Sequence, residues 1–181
     1  MTIIESNKND KNIETSARFS VAPMMDWTDR HCRYFHRQFT KKSLLYTEMI
    51  AAAALVQGKA YHLLDYSSEE HPVALQLGGS DPIQLAEAAS IGESYGYDEI
   101  NLNVGCPSDR VQSGSFGAVL MKNPRAVGAC CEAMKKNTSI DVTVKCRIGV
   151  DDQDPKEILP EFLSHISNSG VRRVIIHARK A

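Results

Sequence analysis

At 181 residues and 43% hydrophobic, with a formal net charge of -1, the chain can bury one sizeable core and carries no global charge bias toward nucleic acid or membrane. Its five cysteines, Cys32, Cys106, Cys130, Cys131 and Cys146, include no C-x-x-C pair. That argues against a disulfide framework or a zinc site and for a reducing compartment. With no long apolar run and no apolar stretch in Met1 to Ala17, the expectation is a cytoplasmic protein without membrane span, signal peptide or metal.

Residues 1–17, rich in Asn, Lys, Glu and Ser, read as a disordered lead-in. A first strand, Phe19 to Met24, closes at Pro23 and leaves the Met24 and Met25 backbone at its C-terminal edge. Asp29 to Phe39 reads as a helix whose Arg30, Arg33 and Arg37 form a solvated basic face. Strands follow at Leu44 to Met49, His71 to Gly79, Glu99 to Gly105, Asp141 to Gly149 and Arg173 to Arg179. Between them lie helices over Ala51 to Val56, Asp81 to about Gly92, Pro124 to Lys136 and Pro155 to Ser167. Cys130 and Cys131 are expected to be packing residues.

Strand and helix alternate six times, the pattern of a parallel sheet in an α/β protein. In the strand from Glu99, alternation sets Ile100, Leu102 and Val104 on one face and Asn101, Asn103 and Gly105 on the other. Two amides on one strand face need partners if buried. The same parity sets Gln76, Asn103, Lys145 and His177 on a polar side, and Cys146 on the apolar, helix-facing side, where it is expected to be inert. Four strands that each bring a polar residue toward one rim favour a (β/α)8 TIM-type barrel with its site at the C-terminal mouth. An open doubly wound sheet is the alternative, but Ala22-Pro23-Met24-Met25-Asp26 is no Gly-rich phosphate turn. Cys106, between Gly105 and Pro107, sits where its strand ends in a loop carrying Gly114 and Gly117, a candidate for chemistry rather than packing. A barrel needs eight strands and typically ~250 residues, so these six are expected to be its first six β/α units. Such a chain is expected to be aggregation-prone or partly folded alone, with the edges of its first and sixth strands unpaired.

Ala22-Pro23-Met24-Met25-Asp26-Trp27-Thr28-Asp29, Gln76-Leu77-Gly78-Gly79, Asn101 to Ser108 with Asp109-Arg110, Lys145-Cys146-Arg147-Ile148-Gly149 and Ile176 to Ala181 resemble the flavin-dependent tRNA-dihydrouridine synthases. The A-type subfamily is the nearest match, with Cys146 standing where that subfamily has Thr. The resemblance covers Phe19 to Ala181. It implies reduction of uridine to dihydrouridine in the tRNA D loop, at uridines 20 and 20a, with FMN and with NADPH as reductant. It further implies a partial barrel domain over 18–181, lacking the last two strands, their phosphate-binding segment and a C-terminal helical tRNA-binding domain. The complete protein would be monomeric.

By the same resemblance Cys106 is the proton donor to C5 of uracil, opposite the flavin that gives hydride to C6. An ordinary thiol, with a pKa of about 8.5, is largely protonated at neutral pH as an acid must be. Pro23, Met24 and Met25 would support the isoalloxazine, Gln76 would meet its pyrimidine edge, Lys145 would stabilise its anionic reduced form, and His177 would contact FMN. Asn103 would hydrogen-bond the flipped uridine, and Arg179 would meet RNA phosphate or be a solvated rim residue. Structural readings stand beside these: Met24 and Met25 as core filler, Gln76 as barrel filling, Lys145 as an ion-pair partner of Glu48 or Asp98, His177 as a core histidine. Two other functions remain: a flavin barrel reducing small enones, for which Tyr or His is the usual acid, and a truncated, non-catalytic fragment.

Overall fold

The computed structural model of the chain describes residues 16–108 and 116–181. Most of the lead-in expected to be disordered, and Asp109, Arg110 and Gly114, lie outside the described residues. Six strands run β1 (Ser20–Val21), β2 (Leu44–Ala51), β3 (Val73–Gly78), β4 (Glu99–Val104), β5 (Asp141–Arg147) and β6 (Val174–His177). They form one sheet in sequential order, every neighbouring pair parallel. Sequential order has no point at which the winding reverses, so the sheet is the curled wall of a partial (β/α) barrel and not a doubly wound sheet. β1 and β6 stand at its two ends.

The helices are α1 (Arg30–Phe39), α2 (Ala52–Val56), α3 (Pro82–Ser94), α4 (Pro124–Lys136) and α5 (Pro155–Asn168). Their starts are written in the sequence. Asp29, Asp81, Asn123 and Asp154 each cap the N-terminus with a side-chain oxygen, and α3, α4 and α5 begin with proline. Gly170, at φ +86°, turns the chain out of α5. The apolar faces of α3, α4 and α5 pack on the apolar side of β3, β4 and β5 in one continuous core that includes Leu75, Leu102, Val144, Cys130, Cys131 and Cys146. Gly92 lets α3 approach the sheet: a Cβ there would meet Leu75 Cδ2 at 2.6 Å and Ile100 Cδ1 at 2.7 Å. Burial pushes the Cys146 thiol up to about 11, consistent with an inert packing residue.

The basic face of α1 is solvated only at Arg30. Arg33 and Arg37 are only 4% and 8% exposed. Arg33 Nε donates to Glu70 Oε2 at 2.5 Å, and Nη1 to the Thr28 carbonyl at 2.8 Å. Arg37 Nη2 reaches the carbonyls of Ser43, Glu70 and Pro72. The two arginines turn inward because the turns before β2 and β3 offer carbonyls that need donors, and Glu70 needs a counter-charge. Tyr34, Phe35 and Phe39 hold exposed positions on the same helix.

The Glu70–Arg33 pair yields a test of stability. Arg33→Met leaves a wholly buried carboxylate without its counter-charge, and urea unfolding is expected to show a loss of about 3–5 kcal/mol. A loss below about 1 kcal/mol, the range of a surface pair, would contradict the burial described.

Candidate active site

The barrel interior and the C-terminal mouth are one hydrogen-bonded construction. On the inner face of the wall, Leu44, Tyr46 and Ala74 form a small apolar base, above which the lining turns polar. β3, β4 and β5 are in register so that Gln76 lies beside Asn101, Asn101 beside Thr143, and Asn103 beside Lys145. Gln76 Nε2 donates to Asn101 Oδ1 at 2.8 Å, Asn101 Nδ2 to Thr143 Oγ1 at 2.8 Å, and Asn103 Nδ2 to Gln76 Oε1 at 2.9 Å. The two asparagines of β4 thus have the partners that their burial demands. Gln76, 1% exposed, has both ends of its amide engaged in this ladder.

Below it sits Glu99, which sequence reading did not single out because it opens its strand. It is fully buried. Tyr46 OH and Thr143 Oγ1 donate to its Oε1, the tyrosine at 3.1 Å, and the Arg173 guanidinium closes on Oε2. The Glu99 carboxyl is raised overall: burial pushes it up and Asp141 adds to the push, while Arg173 and the two hydroxyls pull it only part of the way back.

At the mouth, Asn103 Oδ1 accepts from the backbone N–H of both Gly105 and Cys106 at 3.0 Å. Arg147 Nε donates to the Gly105 carbonyl at 2.8 Å, and Ala118 N–H to the Cys106 carbonyl at 2.9 Å. Four bonds therefore fix the backbone that presents Cys106, whose half-buried thiol lies 3.4 Å from Ser108 Oγ. Arg147 was legible only as part of a motif. Its clamp on Gly105 depends on a contact across the mouth that no local pattern encodes.

The other expected residues ring the same edge. Met24 and Met25 are 47% and 44% exposed and so are not core filler. Pro23, half-buried, leads into their turn, which Thr28 holds by hydrogen bonds with Met24. Glu48 Oε1 accepts from Asp26 N–H at 2.6 Å, fastening that turn to β2. Lys145 is half-buried and, among the described residues, has no carboxylate partner. Asp98 is instead paired with His71 at 2.6 Å. Burial, then the Arg147 charge, pushes the Lys145 amine down. His177 is exposed rather than a core histidine. Its imidazole is pushed down by desolvation and by the cations Arg147, Lys145 and Arg179. On the β1–β2 side, a cavity of about 770 Å³ is lined by Met25, Arg30, Glu48, Met49, His62 and Phe116 among others. Cys106, Lys145 and His177 are not part of that lining.

The mouth is therefore cationic, with a methionine-bearing turn on one side and a clamped thiol on another. Lys145 and the neighbouring Arg147 and His177 suit an electron-rich, partly anionic ring, and the exposed Met24 and Met25 offer it apolar contact. Among the described residues there is no cluster of His, Cys, Asp and Glu that could hold a metal ion, and no helix long and apolar enough to cross a membrane.

A family profile described as dihydrouridine synthase matches residues 20–181. Among curated proteins, the tRNA-dihydrouridine(20/20a) synthases of Shigella flexneri and Escherichia coli strain K12 are each 60% identical over 171 residues. Those residues are 94% of this chain and 50% and 49% of the respective relatives. The Vibrio parahaemolyticus protein of the same name is 59% identical over 167 residues, 92% of this chain and 51% of its own length. The chain spans about half the length of the curated relatives it matches.

The depressed Lys145 amine predicts a chemical signature. In acylation mapped peptide by peptide, its pH midpoint falls below that of the exposed lysines. A midpoint equal to theirs would mean that the amine is not desolvated at the mouth.

Proposed function

Because the chain belongs to the dihydrouridine synthase family, we propose that its barrel mouth serves the reduction of uridine to 5,6-dihydrouridine in the D loop of tRNA. The uridines are those numbered 20 and 20a in the names of its relatives, the cofactor is FMN, and NADPH is the reductant. Such a substrate sets the work in the cytoplasm. The observation that carries the reading is the backbone clamp around Cys106, beside a lysine with no carboxylate partner among the described residues.

Pro23, Met24 and Met25 would hold the isoalloxazine against the β1 turn, with Lys145 and His177 on its polar side. Gln76 would turn part of its amide toward the ring's pyrimidine edge. Bound there, the flavin supplies the hydride that C6 of the uracil accepts. Cys106 Sγ–H gives its proton to C5, and solvent then reprotonates the thiolate, so the base gains one hydride and one proton. Asn103 has one amide hydrogen on Gln76 and a second to offer a flipped uridine. The clamped backbone holds the thiol still while the base enters, and a fixed donor geometry is what general acid catalysis rewards.

The test is a chimera in which residues 20–181 replace the matched half of the Escherichia coli relative. With FMN, NADPH and an unmodified tRNA transcript, it is expected to form dihydrouridine. Cys106→Ala in the chimera is expected to lower the rate by at least ~10²-fold with flavin absorbance unchanged. Dihydrouridine formation at an undiminished rate would remove Cys106 from its role.

A further inference from the structure

Two loops face each other across the mouth: one leaves β4 through Gly105 and Cys106, the other leaves β6 after His177. β5 lies between those strands, so β4 and β6 share no ladder. Arg147, the last residue of β5, spans the gap. Its Nε donates to the Gly105 carbonyl at 2.8 Å and its Nη1 to the Lys180 carbonyl at 3.1 Å. Both partners are carbonyls, which only accept. A planar guanidinium offers N–H groups in two fixed directions and serves both at once, whereas an ammonium on a flexible stem is a point charge.

The Gly105 carbonyl and the Cys106 N–H belong to one planar peptide unit. Asn103 Oδ1 accepts from its N–H at 3.0 Å, and Arg147 holds its oxygen. Gripped at both ends, the plane that leads into the Cys106 Cα cannot tilt without breaking a bond. The far anchor is firm as well. Ala181 N–H donates to the Gly149 carbonyl at 3.0 Å and Ile148 N–H to the Arg179 carbonyl at 3.4 Å, so the backbone on either side of Lys180 is tied to the end of β5 and the loop beyond it. At Gly105 a Cβ would meet the Cys146 carbonyl carbon at 3.3 Å and Arg147 Cγ at 3.4 Å. The φ of Gly105 is not positive, so its bare backbone serves this close approach.

We infer that Arg147 is a positioning residue: its guanidinium ties the peptide that carries Cys106 to the loop after β6, and so fixes the thiol relative to the His177 edge of the mouth. The tie depends on the two-directional shape of the side chain and not on its charge alone. Its weight for catalysis rests on the reading of Cys106 as the proton donor, and the two are tested apart.

In the full chain, amide hydrogen exchange reads the tie without catalysis. Arg147→Lys keeps the cation and loses the fork. It is expected to speed exchange about tenfold at the Cys106 N–H and at the Ala118 N–H, which the Cys106 carbonyl holds, with the Leu102 N–H in β4 unchanged. Unchanged exchange at Cys106 overturns the inference. In the chimera, Arg147→Lys is expected to lower kcat for dihydrouridine formation about tenfold while KM for tRNA moves less than twofold. Arg147→Met is expected to lose kcat at least as much. If Arg147→Lys performs as the parent and only Arg147→Met is impaired, charge is what the residue supplies, and the inference is overturned. A loss confined to KM, the mark of a phosphate contact, overturns it too. A chimera inactive with Arg147 in place would count against the proposed function, and exchange at Cys106 then decides the tie. Should Arg147→Met not fold, Arg147→Lys decides alone.

Discussion

A carboxyl group shut away from water needs protein donors in place of solvent, and Glu99 has three of them at the centre of the curled sheet. Tyr46 from β2, Thr143 from β5 and Arg173 at the entrance to β6 converge on it. Three elements of the wall are thereby tied to β4 from the inside, while the helices hold the same strands from the outside through an apolar core. The inside of the wall is polar from Glu99 up to the mouth. An all-apolar lining would pack at least as well, but it could not carry hydrogen-bonding order up to the mouth.

That order explains the contrast between the two faces of one strand. Ile100, Leu102 and Val104 are wholly buried against helices and need no partner beyond apolar contact. Glu99, Asn101 and Asn103 alternate with them: Asn101 bonds its register neighbours Gln76 and Thr143, while Glu99 and Asn103 reach Thr143 and Gln76 one inward-facing position along the neighbouring strands. Register is fixed twice over, by burial on one face and by donor-to-acceptor matching on the other. The thiol at the end of β4 inherits this precision through Asn103, and Arg147 adds a hold from β5.

Much of this was legible in the sequence because period-2 alternation survives burial on one face. Gln76, Asn103, Lys145 and His177 separate from Leu77, Val104, Cys146 and Ile176 on parity alone. Helix starts were legible because capping is local: Asp29, Asp81 and Asp154 each sit next to the turn they close. What was not legible depends on distant partners. Glu99 and Thr143 read as an ordinary strand start and an ordinary β-branched residue until strands 44 positions apart are brought together. Arg33 and Arg37 read as a solvated face because the carbonyls and Glu70 that draw them inward belong to other segments. In β2 the register shifts between Tyr46 and Met49, which breaks the alternation that worked elsewhere.

The proposed function requires a flavin at this mouth, against the β1 turn and with Lys145 and Gln76 on its polar side. An FMN titration followed by visible absorbance tests it most directly, on the chain and on the chimera. The account predicts flavin bands shifted from those of free FMN in the chimera. It predicts a weaker shift or none when Lys145 or Gln76 is replaced by alanine. A spectrum identical to free FMN in both proteins, or a shift indifferent to both substitutions, would contradict it.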